Sequence, residues 1–106
     1  MKKKKLYHKL VRDRIPDIIF DAGKDFRARQ VSGDDLLRLA LKKLHEEVQE
    51  FVEHPCPEEA ADIMEILEFV CRREGIQQHT IDAARASKYV TRGGFEMGYL
   101  LEWVEE

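Results

Sequence analysis

The sequence predicts a mainly α-helical domain, and three observations support this prediction. Apolar residues recur at steps of three and four along most of the chain, which is the spacing of one face of a helix. Glycines and prolines divide these periodic stretches into four segments of helical length. No internal repeat and no glycine-, serine- or proline-rich linker interrupts the 106 residues. We therefore expect a single four-helix domain that covers residues 1–106.

The first predicted helix covers about residues 11–22. Its apolar side chains have helical spacing, and they are Val11, Ile15, Ile18 and Ile19. Pro16 falls in the first turn, where its missing N–H does no harm, and Gly23 is placed as a terminator. We interpret the following segment DFRARQV, residues 25–31, as an extended connector or a short strand.

The second predicted helix runs from about Gly33 to Glu53, with Ser32 as its N-cap and Asp35 three positions further on. Its apolar residues recur at three- and four-residue steps, and they are Leu37, Ala40, Leu41, Leu44, Val48, Phe51 and Val52. The segment HPCP ends this helix, because two prolines in four residues cannot continue it.

The third predicted helix covers about residues 57–74, begins at a proline and stops at Gly75. One side of it is apolar and carries Ala60, Ile63, Met64, Leu67, Val70 and Cys71. The fourth helix follows Ile76 and continues to Arg92. The aromatic tail, residues 95–104, alternates in part, and we expect it to pair with the connector near residue 28 as a two-stranded β element.

Charge is divided unevenly along the chain, although the net charge is only −3. The first fourteen residues, MKKKKLYHKLVRDR, hold seven basic residues and one acid. In contrast, the stretch from Glu46 to Glu68 holds nine carboxylates and neither lysine nor arginine. We expect MKKKK to be solvated and disordered, and the lack of aromatic or glycine-rich patterns near it argues against nucleic-acid binding.

Two cysteines are too few and too far apart for a zinc or disulfide framework, which favours reduced thiols in a cytoplasmic protein. No apolar run reaches the roughly 18 residues that a membrane span needs. The lysines at the start lead into polar sequence rather than into the apolar stretch of a signal peptide. We therefore expect a cytoplasmic protein that does not enter a membrane.

The acidic stretch predicts a cluster of carboxylates where the second and third helices meet. A connection as short as HPCP forces these helices to lie antiparallel and adjacent. Residues at equal distances from the turn then become neighbours, which brings Glu47 and Glu50 near Glu59 and Asp62. Four carboxylates beside a core repel each other and lose hydration unless a cation accompanies them.

An all-oxygen ligand set favours a hard cation, Mg²⁺ or Mn²⁺, over zinc. Magnesium retains several waters and takes remaining ligands from phosphates, so such a site points to a polyphosphate substrate. The alternative interpretation is a solvated acidic helix face, which is common in soluble proteins. The lack of basic partners at i+4 within the acidic stretch argues against this alternative.

The acidic motifs read as EExxE at Glu46, Glu47 and Glu50, followed by ExxD at Glu59 and Asp62. Together with YHKLVRDRIPDII near the start and KYVTRGGFE near the end, they resemble the MazG-like all-α nucleoside triphosphate pyrophosphohydrolases. The resemblance covers nearly the whole chain and is most specific to the small subfamily labelled phosphoribosyl-ATP pyrophosphohydrolase-like.

This resemblance implies Mg²⁺-dependent cleavage between the α and β phosphates of a nucleoside triphosphate, which releases a monophosphate and pyrophosphate. It implies four metal ligands, and they are Glu47, Glu50, Glu59 and Asp62. The general base would be Glu46 or Glu50. The segment between Glu50 and Glu59 is shorter than in many relatives, which leaves Glu46 or Glu65 as substitute ligands.

The basic residues that match the family's motifs are candidate phosphate contacts. Lys9 and Arg12 share a face if HKLVRDR is helical, and an exposed basic turn is the alternative. Lys88 and Arg92 match the family's KxxxRGGF block, although the C-terminus of any helix also favours cations.

The resemblance also implies a homo-oligomer, a dimer or a tetramer, and four helices in 106 residues leave more apolar surface than one small core covers. Two other functions stay open: hydrolysis of phosphoribosyl-ATP in histidine biosynthesis, and a non-catalytic helical module that binds a metal or a partner. A house-cleaning enzyme that removes damaged nucleotides is the function we expect.

Overall fold

Four α-helices account for most of the chain in a computed structural model that describes residues 3–106. They are α1, Ile15–Asp21; α2, Gly33–Glu53; α3, Pro57–Arg73; and α4, Gln78–Arg92. The predicted mainly α-helical class and the predicted number of helices are confirmed. Met1 and Lys2, which belong to the lysine-rich start expected to be disordered, lie outside the described residues.

The first helix is shorter than predicted, because it begins at Ile15 rather than near Val11. Pro16 lies in its first turn, as expected, and it lacks the N–H that would bond to the carbonyl of residue 12, with which its ring would also clash. The segment before Ile15 therefore does not join the helix. At the other end, Gly23 adopts a φ of +73°, a conformation that glycine reaches without steric cost, and the chain turns away.

The second helix has the predicted bounds at both ends. Ser32 is extended, with φ −147° and ψ 177°, but its hydroxyl makes no capping hydrogen bond. The backbone carbonyl of Ser32 instead accepts the N–H of Leu36 at 3.3 Å. Only three residues, 54–56, separate α2 from α3, and α3 begins at the predicted proline.

The chain divides into two compact units, Met1–Val70 and Cys71–Glu106. The first unit contains α1, α2 and most of α3, while the second contains α4 and the C-terminal tail. The third helix crosses the boundary between the units. The expectation of one domain over residues 1–106 stays a prediction.

Few apolar side chains are removed from solvent within the described residues. Ala40 on α2 is fully buried, and the residues around it on α2 and α3 are at best half-buried. Large apolar side chains of the two helices remain exposed, and they are Leu41, Val48, Val52, Met64 and Leu67. Apolar surface of this extent commonly marks an interface.

The predicted β element does not form, since residues 3–106 contain no strand. Residues 25–31 are exposed except for Val31, and residues 95–104 are exposed throughout. A two-stranded ribbon is marginal in water without an apolar face packed on something else. The charged side chains of DFRARQV do not supply such a face.

Both cysteines are free thiols and half-buried. No helix in the described part of the chain combines the length and the apolar character that crossing a bilayer requires. The cytoplasmic location stays a prediction.

Candidate metal centre

Three carboxylates from two helices meet beside the connection between α2 and α3. Oxygen atoms of Glu47, Glu59 and Asp62 all lie within 4.8 Å of one another, and each side chain is half-buried. Glu47 comes from α2, and the other two come from adjacent turns of α3. The cluster forms because three connecting residues leave the helices no room to separate near the turn.

Glu50, the fourth predicted ligand, does not belong to this group of three. It is exposed on α2, one turn beyond Glu47. Its charge nevertheless acts on Glu59, whose pKa it helps to raise. Glu65, the suggested substitute ligand, is also exposed and outside the group.

Glu59 is the carboxyl group most disturbed by its surroundings. Partial burial raises its pKa above the ordinary value of 4.5, and the negative charges of Glu50, Asp62 and Glu47 raise it further. The nearby His54 acts in the opposite direction. Negative charge is therefore concentrated around Glu59, as expected where carboxylates share a small volume.

The other two members of the cluster are held by cations. Arg12 places Nη2 2.7 Å from Oδ1 of Asp62, and this hydrogen-bonded ion pair joins residues fifty positions apart. Lys43, one turn before Glu47 on α2, places Nζ 3.2 Å from Oε1 of that glutamate. In contrast, Glu59 has no ion pair with any residue of 3–106.

A further ion pair lies next to the cluster. Nζ of Lys9 is 3.7 Å from Oε2 of Glu46, so the N-terminal segment contacts α2 through Lys9 and α3 through Arg12. Lys9 and Arg12 precede α1, so HKLVRDR is not helical, and the prediction that the first helix includes Arg12 is wrong. An irregular segment before α1 places both Lys9 and Arg12 beside the acidic residues.

Sequence reasoning missed these basic partners. Lys43 was detectable, because it stands four positions before Glu47, but it lies just outside the lysine-free stretch. The pair between Arg12 and Asp62 joins distant parts of the chain, and no local pattern indicates it. The acidic cluster is therefore less uncompensated than its sequence suggests.

The two remaining candidate phosphate contacts, Lys88 and Arg92, lie in the second unit. Both are exposed and stand one turn apart at the end of α4. The helix ends at Gly93, which has a φ of +79°. Their role stays a prediction.

The donor atoms of the cluster suit Mg²⁺. Its donors are all carboxylate oxygens, which suit a hard cation. The three oxygens lie within 4.8 Å of one another, whereas neighbouring ligands of an octahedral Mg²⁺ at about 2.1 Å are about 3 Å apart. Glu47, Glu59 and Asp62 therefore fit the ion in the chemistry of their donors, and their oxygens would draw closer together around it.

Comparisons of the chain with protein-family models, with curated proteins and with solved structures give no match. The arrangement of the carboxylates and their basic neighbours therefore carries the functional argument.

Proposed function

We propose that the protein is a Mg²⁺-dependent nucleotide pyrophosphohydrolase that converts a nucleoside triphosphate to a monophosphate and pyrophosphate. The observation that carries the proposal is the group of three carboxylates, contributed by two helices and joined through a three-residue connection. The order of motifs around the group, which resembles MazG-like enzymes, supports the same reaction.

Glu47, Glu59 and Asp62 would hold the metal. A bound Mg²⁺ would neutralise phosphate charge and lower the pKa of a coordinated water. Glu59 requires the least rearrangement, because it has no cation to release within residues 3–106. Asp62 and Glu47 would exchange the charges of Arg12 and Lys43 for that of the ion.

Glu50 is the better of the two proposed general bases. Glu46 is already paired with Lys9, whereas Glu50 has no ion pair in the described part of the chain. It is exposed and close enough to affect the pKa of Glu59. In this role Glu50 accepts the proton of the attacking water and orients it toward the phosphate.

Arg12 and Lys9 would bind the substrate's phosphates from the side of the N-terminal segment. Both cations lie beside the cluster and are partly exposed, with side-chain exposures of 57% and 46%. A guanidinium can donate two parallel hydrogen bonds to a phosphate, which makes Arg12 the stronger contact. Lys88 and Arg92 are proposed as further phosphate contacts, on the motif resemblance alone.

The ion pairs also favour a second candidate function, a non-catalytic helical module. Arg12 and Lys43 satisfy two of the three carboxylates without any metal, as in a structural salt-bridge network. In that case the network would stabilise the fold, and Mg²⁺ would cause no turnover.

We further propose that the enzyme is a homodimer or larger homo-oligomer. Four large apolar side chains of α2 and α3 are exposed, and they are Val48, Val52, Met64 and Leu67. The exposed fraction is 43% for Val48 and 69% for Met64, because the described residues form little core to cover them. The same side chains of a second copy would cover them through an isologous contact.

The experiment that tests the function is a panel of canonical and modified nucleoside triphosphates and phosphoribosyl-ATP, each incubated with Mg²⁺, with Mn²⁺ and with EDTA. Release of monophosphate and pyrophosphate that EDTA abolishes supports the proposal. If phosphoribosyl-ATP is hydrolysed fastest, the protein would be assigned to histidine biosynthesis. Stabilisation by Mg²⁺ with no turnover of any compound would favour the non-catalytic module.

A further inference from the structure

The C-terminal tail, residues 95–104, exposes residue types that are common at protein interfaces. Aromatic and methionine side chains are enriched in the buried centres of such interfaces. The tail has four of them, each at least 77% exposed, and they are Phe95, Met97, Tyr99 and Trp103. Three aromatic side chains can bury about 450–750 Å², close to the roughly 800 Å² that each partner contributes to a stable interface.

The chain also exposes more surface than its two compact units need. Taken separately, compact proteins with the lengths of Met1–Val70 and Cys71–Glu106 would together expose about 7,300 Å². The chain exposes 10,416 Å², which is about 3,000 Å² more. An excess of this size indicates surface that a partner covers.

The charge of the tail restricts what can cover it. The tail and the two residues after it hold four carboxylates and no basic residue, and the four are Glu96, Glu102, Glu105 and Glu106. None of them has an ion pair with any residue of 3–106. A complementary surface must therefore combine apolar side chains with positive charge.

One segment of a second copy has this combination. Another tail would repel the first, and so would the acidic stretch of residues 46–68, which holds neither lysine nor arginine. The lysine-rich segment, residues 3–9, reads KKKLYHK and holds four lysines and no acid. All of its residues are exposed, including the apolar Leu6 and Tyr7.

Three lysines of this segment are available to the carboxylates of the tail. Lys3, Lys4 and Lys5 have no ion pair with any residue of 3–106. Nζ of Lys5 lies 4.9 Å from the centroid of the Tyr7 ring, so a cation and an aromatic ring share one surface. Such a surface complements a tail in which carboxylates lie among aromatic rings.

We propose that the tail of one copy docks on the lysine-rich segment of a second copy. Apolar side chains of the tail pack on Leu6 and Tyr7, and its glutamates pair with the lysines. Under twofold symmetry the reverse contact forms as well, so a dimer contains two such contacts. This docking rests on the proposed self-association and does not depend on the proposed reaction.

The first test is carbodiimide cross-linking of the full-length protein, which joins a carboxylate to an amine when the two are in contact. Unlabelled and isotope-labelled protein are mixed in urea, refolded together, cross-linked and analysed by mass spectrometry. We expect peptides that join Glu102 or Glu105 of one isotope to the lysine-rich segment of the other. If such peptides join only residues of the same isotope, the tail docks within its own chain and the proposal is overturned.

The second test is charge reversal, with self-association measured by sedimentation equilibrium at low ionic strength. Replacing Lys3, Lys4 and Lys5 together by glutamate should weaken self-association about tenfold, since three exposed ion pairs are lost. Adding lysine in place of Glu102, Glu105 and Glu106 should restore it, because the same pairs form with opposite signs. Unchanged self-association in the triple variant, or no recovery in the charge-swapped chain, would overturn the docking.

A matched control separates these pairs from net charge. Replacing Lys24, Arg27 and Arg29 by glutamate changes the net charge equally, and all three are exposed and outside both segments. This control should weaken self-association much less. Circular dichroism of both triple variants should match that of the unaltered protein, because the replaced residues lie outside the helices.

The apolar part of the contact is tested by Trp103→Ala. Buried tryptophans are frequent hot spots, so self-association should weaken about tenfold or more. Phe20→Ala, which removes a similarly exposed aromatic side chain of α1, should change it little. Equal self-association of Trp103→Ala and the unaltered protein would overturn the docking.

The docking and the proposed function can fail separately. If nucleotides are hydrolysed but no cross-link joins the two isotopes, the function stands and the docking falls. If the cross-links form as expected and no nucleotide is hydrolysed, the docking stands and the proposed function falls.

Discussion

The turn end of the α2–α3 hairpin and the C-terminal tail, residues 95–104, are organised in opposite ways. At the turn end, charged side chains from distant parts of the chain contact each other, as Arg12 and Asp62 do across fifty positions. In the tail, seven large apolar side chains are each at least 73% exposed. They are Phe95, Met97, Tyr99, Leu100, Leu101, Trp103 and Val104.

Under the proposed function, this difference separates the region that would carry the reaction from the region that would carry self-association. The turn end assembles a charged site from three segments of one unit, and it needs no further chain to do so. The tail exposes large apolar side chains to water, and such surface commonly serves as an interface. We therefore expect mutations at the turn end to affect ion binding and turnover, and mutations in the tail to affect association.

The largest expected effect is on turnover, from removal of a metal ligand. Glu47→Gln keeps the shape of the side chain but removes the charge that would bind Mg²⁺ in the proposed site. We expect pyrophosphate release to fall about 100-fold or more, with unchanged helix content by circular dichroism. Glu58→Gln is the control, because Glu58 is an exposed neighbour of Glu59 outside the cluster. Full activity in Glu47→Gln would refute the ligand assignment.

A smaller effect is expected from matched truncations in the two regions. Ile66→Ala removes a half-buried side chain of α3, whereas Leu101→Ala removes one in the tail that is 79% exposed. We expect Ile66→Ala to lower the free energy of unfolding by about 1–2 kcal/mol and Leu101→Ala by less than about 0.5 kcal/mol in a dilute monomer. Urea denaturation measures both.

The same pair of variants also tests assembly. Light scattering should show that Leu101→Ala weakens self-association, if the tail contributes to the contact between copies. A concentration-independent monomer mass for the unaltered protein would contradict the proposed oligomer, and a large loss of stability in monomeric Leu101→Ala would contradict the contrast between the regions.

A still smaller change in stability is expected when the longest-range ion pair is removed. Arg12 and Asp62 form a pair whose side chains are 57% and 38% exposed, so water screens their attraction. Arg12→Gln should lower the free energy of unfolding by about 0.5 kcal/mol without metal. Arg38→Gln, which removes the exposed i,i+3 pair with Asp35, is the matched control and should change it less.

Because Mg²⁺ would compete with Arg12 for Asp62, the variant gives a second measurement. Arg12→Gln should bind Mg²⁺ at least as tightly as the unaltered protein, while its KM for the nucleotide rises. Weaker Mg²⁺ binding would show that the guanidinium positions Asp62 for the metal instead of competing with it.

The stability of the folded chain should depend on pH through Glu59. The pKa of Glu59 is raised in the folded chain by partial burial and by Glu50, Asp62 and Glu47, so the folded state binds this proton more tightly than the unfolded state. Without metal, stability should therefore fall as pH rises from the ordinary carboxyl value of 4.5 through the raised value. Glu59→Gln should remove this part of the dependence and be more stable at neutral pH.

Mg²⁺ should reverse the trend, since it requires the ionised form of Glu59. Its affinity should increase as pH rises through the raised pKa, and calorimetric titration at several pH values measures this. An equal pH dependence of stability in Glu59→Gln and in the unaltered protein would assign the effect to other groups.

Local sequence signals predicted the helices better than the contacts between them. The end of α2 follows from HPCP, whose prolines cannot continue a helix, whereas Ser32 marks the start of α2 correctly although its hydroxyl makes no capping hydrogen bond. The start of α1 was less predictable, because the apolar Val11 matches the helix period although the chain there is not helical.

The acidic cluster was predictable to the extent that one short connection determines it. The three-residue turn and the ExxD spacing bring Glu59 and Asp62 to Glu47, but they do not decide the direction of Glu50's side chain. The pairing of Arg12 with Asp62 depends on the path of an irregular segment, which no periodicity encodes. The prediction of a β element was wrong for a related reason. Alternating residues in the tail indicate the spacing of a strand, but they do not supply a second strand for it to pair with.

The three residues between α2 and α3 also set a rule for how the length of this chain can vary. Each residue added at the start of α3 rotates the helix by about 100° relative to α2, so a single insertion would move Asp62 away from Glu47. An addition of about one full turn would restore the angle but shift the carboxylates by about 5 Å along the axis. A homologous chain with a longer connection must therefore present a different residue at this position, and its acidic motif should be aligned by helix phase rather than by residue count.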